Sequence, residues 1–194
     1  HDLIFVLGWQ IMGQMKRFHI KNLVPILNKK RTLTGIHSYH AWDDRRTQPD
    51  TNTLPPKKLV RFLNNYLSVN AVSFRLYQAF NSGGVKNLFY TPNGADIEVF
   101  YPKKKLREKR QLRVGYSGSL KHDWRKGITE IIEPASVMAG VELVKAMPSD
   151  GHYVPLDQMP DFYNEIDVYL CASTSEGFSL SVLEASATGR PVIS

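Results

Sequence analysis

Apolar and polar positions alternate between two kinds of stretch along this chain. Short apolar runs occur at Asp2–Gly8, Arg31–His37, Ala71–Phe74, Leu88–Thr91, Leu112–Gly118, Val141–Lys145, Asp167–Ala172 and Pro191–Ile193. Their length and flanking turn residues predict buried parallel strands. Between them lie stretches with helical spacing. Ile11–Phe18 predicts a short helix. Leu54–Ser68 follows Pro55–Pro56 and carries the stripe Leu59, Phe62, Leu63, Tyr66. Arg75–Phe80 predicts a turn or two of helix, stopped by Ser82-Gly83-Gly84, and another helix is expected from about Ile128. Phe178–Thr188 places Leu180, Leu183 and Ala187 on one stripe, and Gly189 stops it. Strands alternating with helices predict an α/β fold, with parallel sheets covered by helices on both faces. The chain opens directly on one strand pattern and closes on another, so both sheets are expected to be continued by chain outside this sequence.

Composition narrows the class. The chain has 194 residues, 42% of them hydrophobic, enough for one large or two small cores. Its one cysteine, Cys171, falls in a strand pattern and is expected to be a small core residue. No intrachain disulfide is possible, which fits a reducing compartment. No run is long enough to span a bilayer as a helix. Net charge is uneven: residues 1–100 carry 13 Lys+Arg against 6 Asp+Glu, and residues 101–194 carry 12 of each. The basic first half can be a solvated surface or a face for an anionic partner. Lys103–Arg113 is a charged run without interleaved aromatics, which favours an interdomain linker over a nucleic-acid arm.

Candidate chemistry concentrates in two strand–loop–helix units. In open α/β sheets such loops, at the carboxyl ends of strands, are where ligands sit. After Leu112–Gly118 comes Ser119-Leu-Lys-His-Asp-Trp-Arg-Lys-Gly127, a loop with cations before a helix start, which is a phosphate-binding layout. After Asp167–Ala172 comes a polar turn with Glu176, then the amides of Gly177, Phe178 and Ser179 at the opening of a helix that carries Glu184 beside its apolar stripe. Amides there can hold a diphosphate, and the two carboxylates can hold sugar and ribose hydroxyls. Equally, Glu176 can cap the helix and Glu184 can pair with a Lys or Arg, since a half-buried carboxylate is costly alone.

The segment EGFSLSVLEASATGRPVIS resembles the E-x7-E signature of glycosyltransferase family 4: Glu-Gly-Phe, a second Glu after seven residues, a small-residue helix and Gly-Arg-Pro-Val fall in order. Tyr90–Pro102 resembles the family's P-N-G-x-D…F-x-P segment, and Met159–Val168 its M-P-x-F-Y segment, where Phe162, Tyr163 and Ile166 read as core without a catalytic role. The resemblance implies a GT-B fold of two Rossmann-like domains, an acceptor-side one at 1–101 and a donor-binding one at 102–194, each incomplete here. The family's glycine-rich acceptor-side loop has no counterpart in this sequence.

The resemblance also implies a retaining, metal-independent glycosyltransferase with no cofactor beyond its nucleotide-sugar substrate. The acceptor would be a saccharide or a lipid-linked molecule in polysaccharide or glycoconjugate biosynthesis. Catalytic roles carry over to His37 (with His40 as fallback), Lys126 and Glu176. His37 can equally be a structural histidine. Donor contacts carry over to Gly118, Ser119, Lys121, Arg125, Lys126, Glu176, Gly177, Phe178, Ser179, Leu180 and Glu184. Many family members have Arg where this chain has Ser119, so Lys121 or Arg125 is expected to supply that charge. His152, Tyr153 and Pro155 lie where members often hold the base. A cytoplasmic enzyme leaning on an anionic membrane follows, through Lys16, Arg17, Lys21, Lys29, Lys30, Arg31, Lys57, Lys58 and Arg61. The competing readings are a nucleotide-sugar-binding protein without turnover and a nucleic-acid binder, the latter resting on charge alone.

Overall fold

The structure is a computed structural model that describes residues 3–6, 29–38, 54–103, 111–174 and 176–194. The helix predicted at Ile11–Phe18, the loop holding His40, the polar loop Thr47–Thr53 and most of the charged run lie outside these residues. So do Lys16, Arg17 and Lys21. The chain divides into two compact units, His1–Asn93 with Glu176–Phe178, and Gly94–Ser175 with Ser179–Ser194.

The first unit is a parallel sheet in the order β1 (Ile4–Val6), β2 (Thr32–Ile36), β3 (Ser68–Ala71), β4 (Leu88–Tyr90). Helices α1 (Lys57–Leu63) and α2 (Phe74–Ser82) bury Leu59, Val60, Leu63, Leu76 and Phe80 against Ile36, Val69 and Ala71. Among the described residues, helices cover one face of this sheet. The connections from β2 to β3 and from β3 to β4 step in the same direction, and right-handed crossovers then put α1 and α2 on one side. The other face carries Phe5, Leu33, Asn70 and Phe89, around an open groove.

Two boundaries differ from the periodic pattern. The helix read as Leu54–Ser68 ends at Leu63 because Asn64 and Asn65 compete for backbone partners. Asn65 donates to the Arg61 carbonyl at 2.6 Å, while Asn64 binds Gly84 O (3.0 Å) and Lys86 N (2.9 Å). The strand read as Ala71–Phe74 lies three residues earlier, since Ser73 is the N-cap of α2 and accepts from Leu76 N at 3.3 Å.

The second unit has strands β5 (Arg113–Ser117), β6 (Glu142–Ala146), β7 (Val168–Leu170) and β8 (Val192–Ile193), all parallel, in the order β6-β5-β7-β8. The chain moves one way from β5 to β6, then the other way to β7 and β8. Right-handed crossovers therefore place helices on opposite faces. On one side a π-helical turn, Ile128–Ile132, runs into α4 (Glu133–Met138), and Ile128 and Ile132 pack with Tyr116 and Met147. On the other, α5 (Met159–Glu165) and α6 (Leu180–Ala187) bury Phe162, Tyr163, Ile166 and Ala185 with Tyr169. A short helix, α3 (Asp123–Lys126), lies in the loop after β5.

Residues 94–103 pack with this unit, ahead of the boundary at 101–102 read from sequence. Phe100 joins its core, Asn164 Nδ2 donates to Tyr101 O at 3.1 Å, and Lys103 N donates to Asn164 Oδ1 at 2.8 Å. Cys171 is a half-buried free thiol.

Candidate functional site

The order β6-β5-β7-β8 has its switch point between β5 and β7. Strand order reverses there, and in open α/β sheets it is beyond the carboxyl ends of the strands at such a point that ligands bind. The loops that follow β5 and β7 form this place, and both were singled out by sequence. Thr174, after β7, donates its N–H to Arg125 O at 2.8 Å, and its hydroxyl reaches the same carbonyl at 3.3 Å. Gly127 has φ +63°, and a Cβ there would sit 3.2 Å from Ala172 O. The close approach of the two loops thus needs glycine at that position.

Within the β5 loop, Gly118 also has no room for a side chain, since a Cβ would lie 2.1 Å from the Tyr116 hydroxyl. Ser119 caps a 3-10 turn, Leu120–His122, and its Oγ accepts from Lys121 N at 3.3 Å. Ser149, from the β6 loop, accepts from Leu120 N at 2.9 Å, so all three loops at this edge are tied together. Arg125 and Lys126 form the last turn of α3 and are partly buried, whereas Lys121 is exposed.

The helix start after Gly127 is not an open anion site. Asp123 occupies it: its Oδ1 accepts from Ile128 N at 2.7 Å and from Thr129 N at 3.1 Å, and Oδ2 accepts from the Thr129 hydroxyl. Burial works to raise the Asp123 carboxyl, but the Thr129 hydroxyl and the two amides outweigh it and hold it below the usual carboxylate range. A built-in anion fills the phosphate-binding layout read from the sequence.

The start of α6 differs. The helix opens at Leu180 with Ser179 as N-cap, two residues later than the pattern predicts, so its first-turn donors are the amides of Leu180, Ser181 and Val182. Ser179 makes no side-chain capping hydrogen bond. Glu176, Gly177 and Phe178 lead into it and are partly buried.

Glu184, on α6, is half-buried, and among the described residues its hydrogen-bond partner is neither Lys nor Arg but a tyrosine. Tyr163 on α5 donates its hydroxyl to Glu184 Oε2 at 2.8 Å. Burial raises the Glu184 carboxyl above its ordinary value, and the tyrosine hydrogen bond pulls it partly back. Behind Tyr163 stand Ser117 Oγ at 3.4 Å and, 2.8 Å from Ser117 Oγ, the Tyr169 hydroxyl. Sequence reading placed Tyr163 in the core without a role. The available signal was its hydroxyl: a buried tyrosine needs a hydrogen-bond partner that phenylalanine does not.

His37 lies at the carboxyl end of β2 in the first unit, partly buried. His152 is exposed, its Nδ1 lies 2.7 Å from Asp150 O, and the neighbouring Tyr153 is 69% exposed. Lys145 is engaged internally, by Glu133 at 3.2 Å and by Asp150, whose hydrogen bond raises the Lys145 ammonium pKa. Among the described residues no cluster of His, Cys, Asp and Glu could hold a metal ion.

Known proteins resemble both the sequence and the fold. Residues 146–194 match the family profile described as "Glycosyl transferases group 1". The O-antigen biosynthesis glycosyltransferase WclY of Escherichia coli is 30% identical over 60% of this chain, and the matched region is 39% of WclY's length. Sucrose-phosphate synthase from Thermosynechococcus elongatus superposes with a TM-score of 0.64 at 17% identity, over 99% of this chain and 55% of its own. Anabaena Alr3699/HepE, solved in complex with UDP, gives 0.60 at 16% identity, over 99% and 59%. The fold is of the GT-B type: two α/β units, each built on a parallel sheet. The profile match contains β7, α6 and both glutamates.

Proposed function

We propose that this protein is a retaining glycosyltransferase that moves a hexosyl group from a nucleotide sugar to a saccharide or lipid-linked acceptor, in polysaccharide or glycoconjugate biosynthesis. The observation that carries this reading is the switch point of the second sheet. There, two cation-bearing and amide-bearing loops are tied by the Thr174–Arg125 hydrogen bond, beside a helix that carries a half-buried carboxylate.

The roles follow from charge. A nucleotide sugar loses its sugar by cleavage of the bond between the anomeric carbon and the diphosphate oxygen. Negative charge therefore grows on the leaving diphosphate, and fixed cations and oriented amides lower that barrier most. Lys126, with Arg125 or Lys121, supplies the cations. The first-turn amides of α6 supply the dipoles, with Gly118, Ser119 and Gly177–Ser179 shaping the approach. Glu184 accepts ribose hydroxyls, and Glu176 accepts hydroxyls of the sugar. His37 acts on the acceptor side. No step in this scheme calls for a metal or a cofactor. The similarity to an O-antigen enzyme supports a saccharide acceptor.

The test is a panel of nucleotide sugars with full-length protein, products read by mass spectrometry and the anomeric configuration by NMR. Transfer with the donor's configuration kept supports the proposal. Inversion removes the retaining mechanism. Nucleotide binding without transfer or donor hydrolysis replaces the enzyme with a binding protein.

A further inference from the structure

We propose that Tyr163 is a positioning residue for Glu184: from the core of the second unit it fixes the carboxylate in the one orientation that accepts two neighbouring hydroxyls of a donor ribose. This rests on the donor site proposed above.

A glutamate on a helix surface has three rotatable bonds, and ordering them opposes binding. Tyr163 has almost no such freedom. It is fully buried, and the rings of Phe162, Tyr169 and Phe100 hold it edge-on at centroid distances of 5.3, 5.7 and 6.0 Å. Its hydroxyl is 2.8 Å from Glu184 Oε2. A rigid donor at that distance selects one rotamer of the carboxylate. It uses one lone pair of Oε2 and leaves Oε1 and the remaining lone pair of Oε2 as acceptors.

The direction of the hydrogen bonds is set by the chain behind it. A carboxylate only accepts, so Tyr163 donates to Glu184 and must accept from Ser117. Ser117 has one proton; giving it to Tyr163 leaves Ser117 to accept from Tyr169, at 2.8 Å. Tyr169 has two acceptors on Ser117, Oγ at 2.8 Å and the backbone carbonyl at 3.5 Å, so the proton of Tyr163 is the one left for Glu184. Burial keeps both phenols protonated far above neutral pH, so Tyr163 remains a donor to the ionised carboxylate. Ser117 is the last residue of β5, next to Gly118, so the same chain ties the carboxylate to the start of the cation-bearing loop. A core that needed only volume would be served by phenylalanine at 163, which has no hydroxyl to satisfy.

Among the described residues Tyr163 is the one titratable group bonded to Glu184. Tyr169 stands behind it through Ser117, and β8, which also packs on α6, contributes only Val192 and Ile193.

The experiment is calorimetric binding of UDP, GDP and ADP to full-length wild type, Tyr163→Phe, Glu184→Ala and the double variant, with the 2′,3′-dideoxy form of the tightest binder alongside. Tyr163→Phe is expected to weaken the ribonucleotide about tenfold and to leave the dideoxy form within about twofold. It should also shift the acid limit of ribonucleotide binding to higher pH, because the hydroxyl that helps ionise Glu184 is gone. In the Glu184→Ala background, Tyr163→Phe should cost no further affinity. Equal losses for both nucleotides, or no loss with the fold intact by circular dichroism, overturn the positioning role. If wild type binds none of the three nucleotides, the proposed donor site itself falls, and this inference with it.

Discussion

Two helix starts follow two strands at the same edge of one sheet, and they are built differently. After β5, the amides of Ile128 and Thr129 are taken by Asp123. After β7, α6 opens at Leu180 with an N-cap that makes no side-chain bond. Both read as strand, polar loop, helix, and both offer the dipole that attracts anions. The chain supplies its own anion at the first start; at the second, the proposed donor site, a ligand is expected to supply it. A helix start whose amides are already held by a carboxylate of its own loop has none left for an anionic ligand. The Asp123 carboxylate ties the start of α3 to the turn at Ile128 and Thr129.

The largest expected effect separates the cations from the cap. Lys126→Ala should lower kcat by about 10²–10³-fold with a smaller change in KM, since its charge acts mainly on the leaving diphosphate in the transition state. Steady-state kinetics decides: a change in KM alone would make Lys126 a ground-state contact, and an equal effect from Arg125→Ala would mean that the two share the role.

Next is the cap itself. Asp123→Ala should destabilise the fold by about 1–2 kcal/mol at neutral pH, as loss of a helix cap does. The sign with pH follows from its lowered folded value. The stabilisation is present above the unfolded carboxylate pKa and is lost as pH falls through the folded one, so wild type and variant should converge in acid. Urea denaturation at several pH values measures this, and a constant gap down to low pH would show that Asp123 acts by shape rather than charge.

The α6 start can be probed without disturbing the helix. Leu180 occupies the first helical position and is exposed, and Ser179 has ψ 102°, which a following proline accepts. Leu180→Pro should keep the melting temperature and weaken nucleotide binding by about 1 kcal/mol relative to Leu180→Ala, through loss of one N–H donor. Identical affinities for the two variants would remove that amide from the site.

Glu184 links the comparison to stability. Its folded pKa is raised, so the buried charge opposes folding once pH passes above its unfolded value. Glu184→Gln should therefore raise the melting temperature at neutral pH, with the gain fading in acid, while donor binding declines. A scanning-calorimetry series would expose the opposite trend if the carboxylate stabilised the free protein.

The smallest expected effect concerns the basic first half. Co-sedimentation with vesicles of rising anionic-lipid content should show salt-sensitive binding, at up to about 1 kcal/mol per well-placed basic residue. No sedimentation at low salt would leave those charges as solvated surface.

Periodicity and turn chemistry were enough to read alternating strands and helices, the two carboxylates eight positions apart in number, and the polar loops after β5 and β7, because apolar spacing and Gly/Pro punctuation are local properties. Element ends escaped where side chains decide them: Asn64 and Asn65 stop α1, and Ser73 moves the strand–helix boundary. The order β6-β5-β7-β8, which makes the two loops neighbours, is a matter of long-range pairing that no local pattern encodes. The same holds for the two facts that redefine the site. Asp123 was visible as one charge among several in a loop, and only the folded turn brings its carboxylate onto the amides that a phosphate would have used. Tyr163 reads as a core aromatic, and only the packing of α5 against α6 aims its hydroxyl at Glu184. Sequence sets which groups are present and their local period; tertiary structure decides which charge each of them meets.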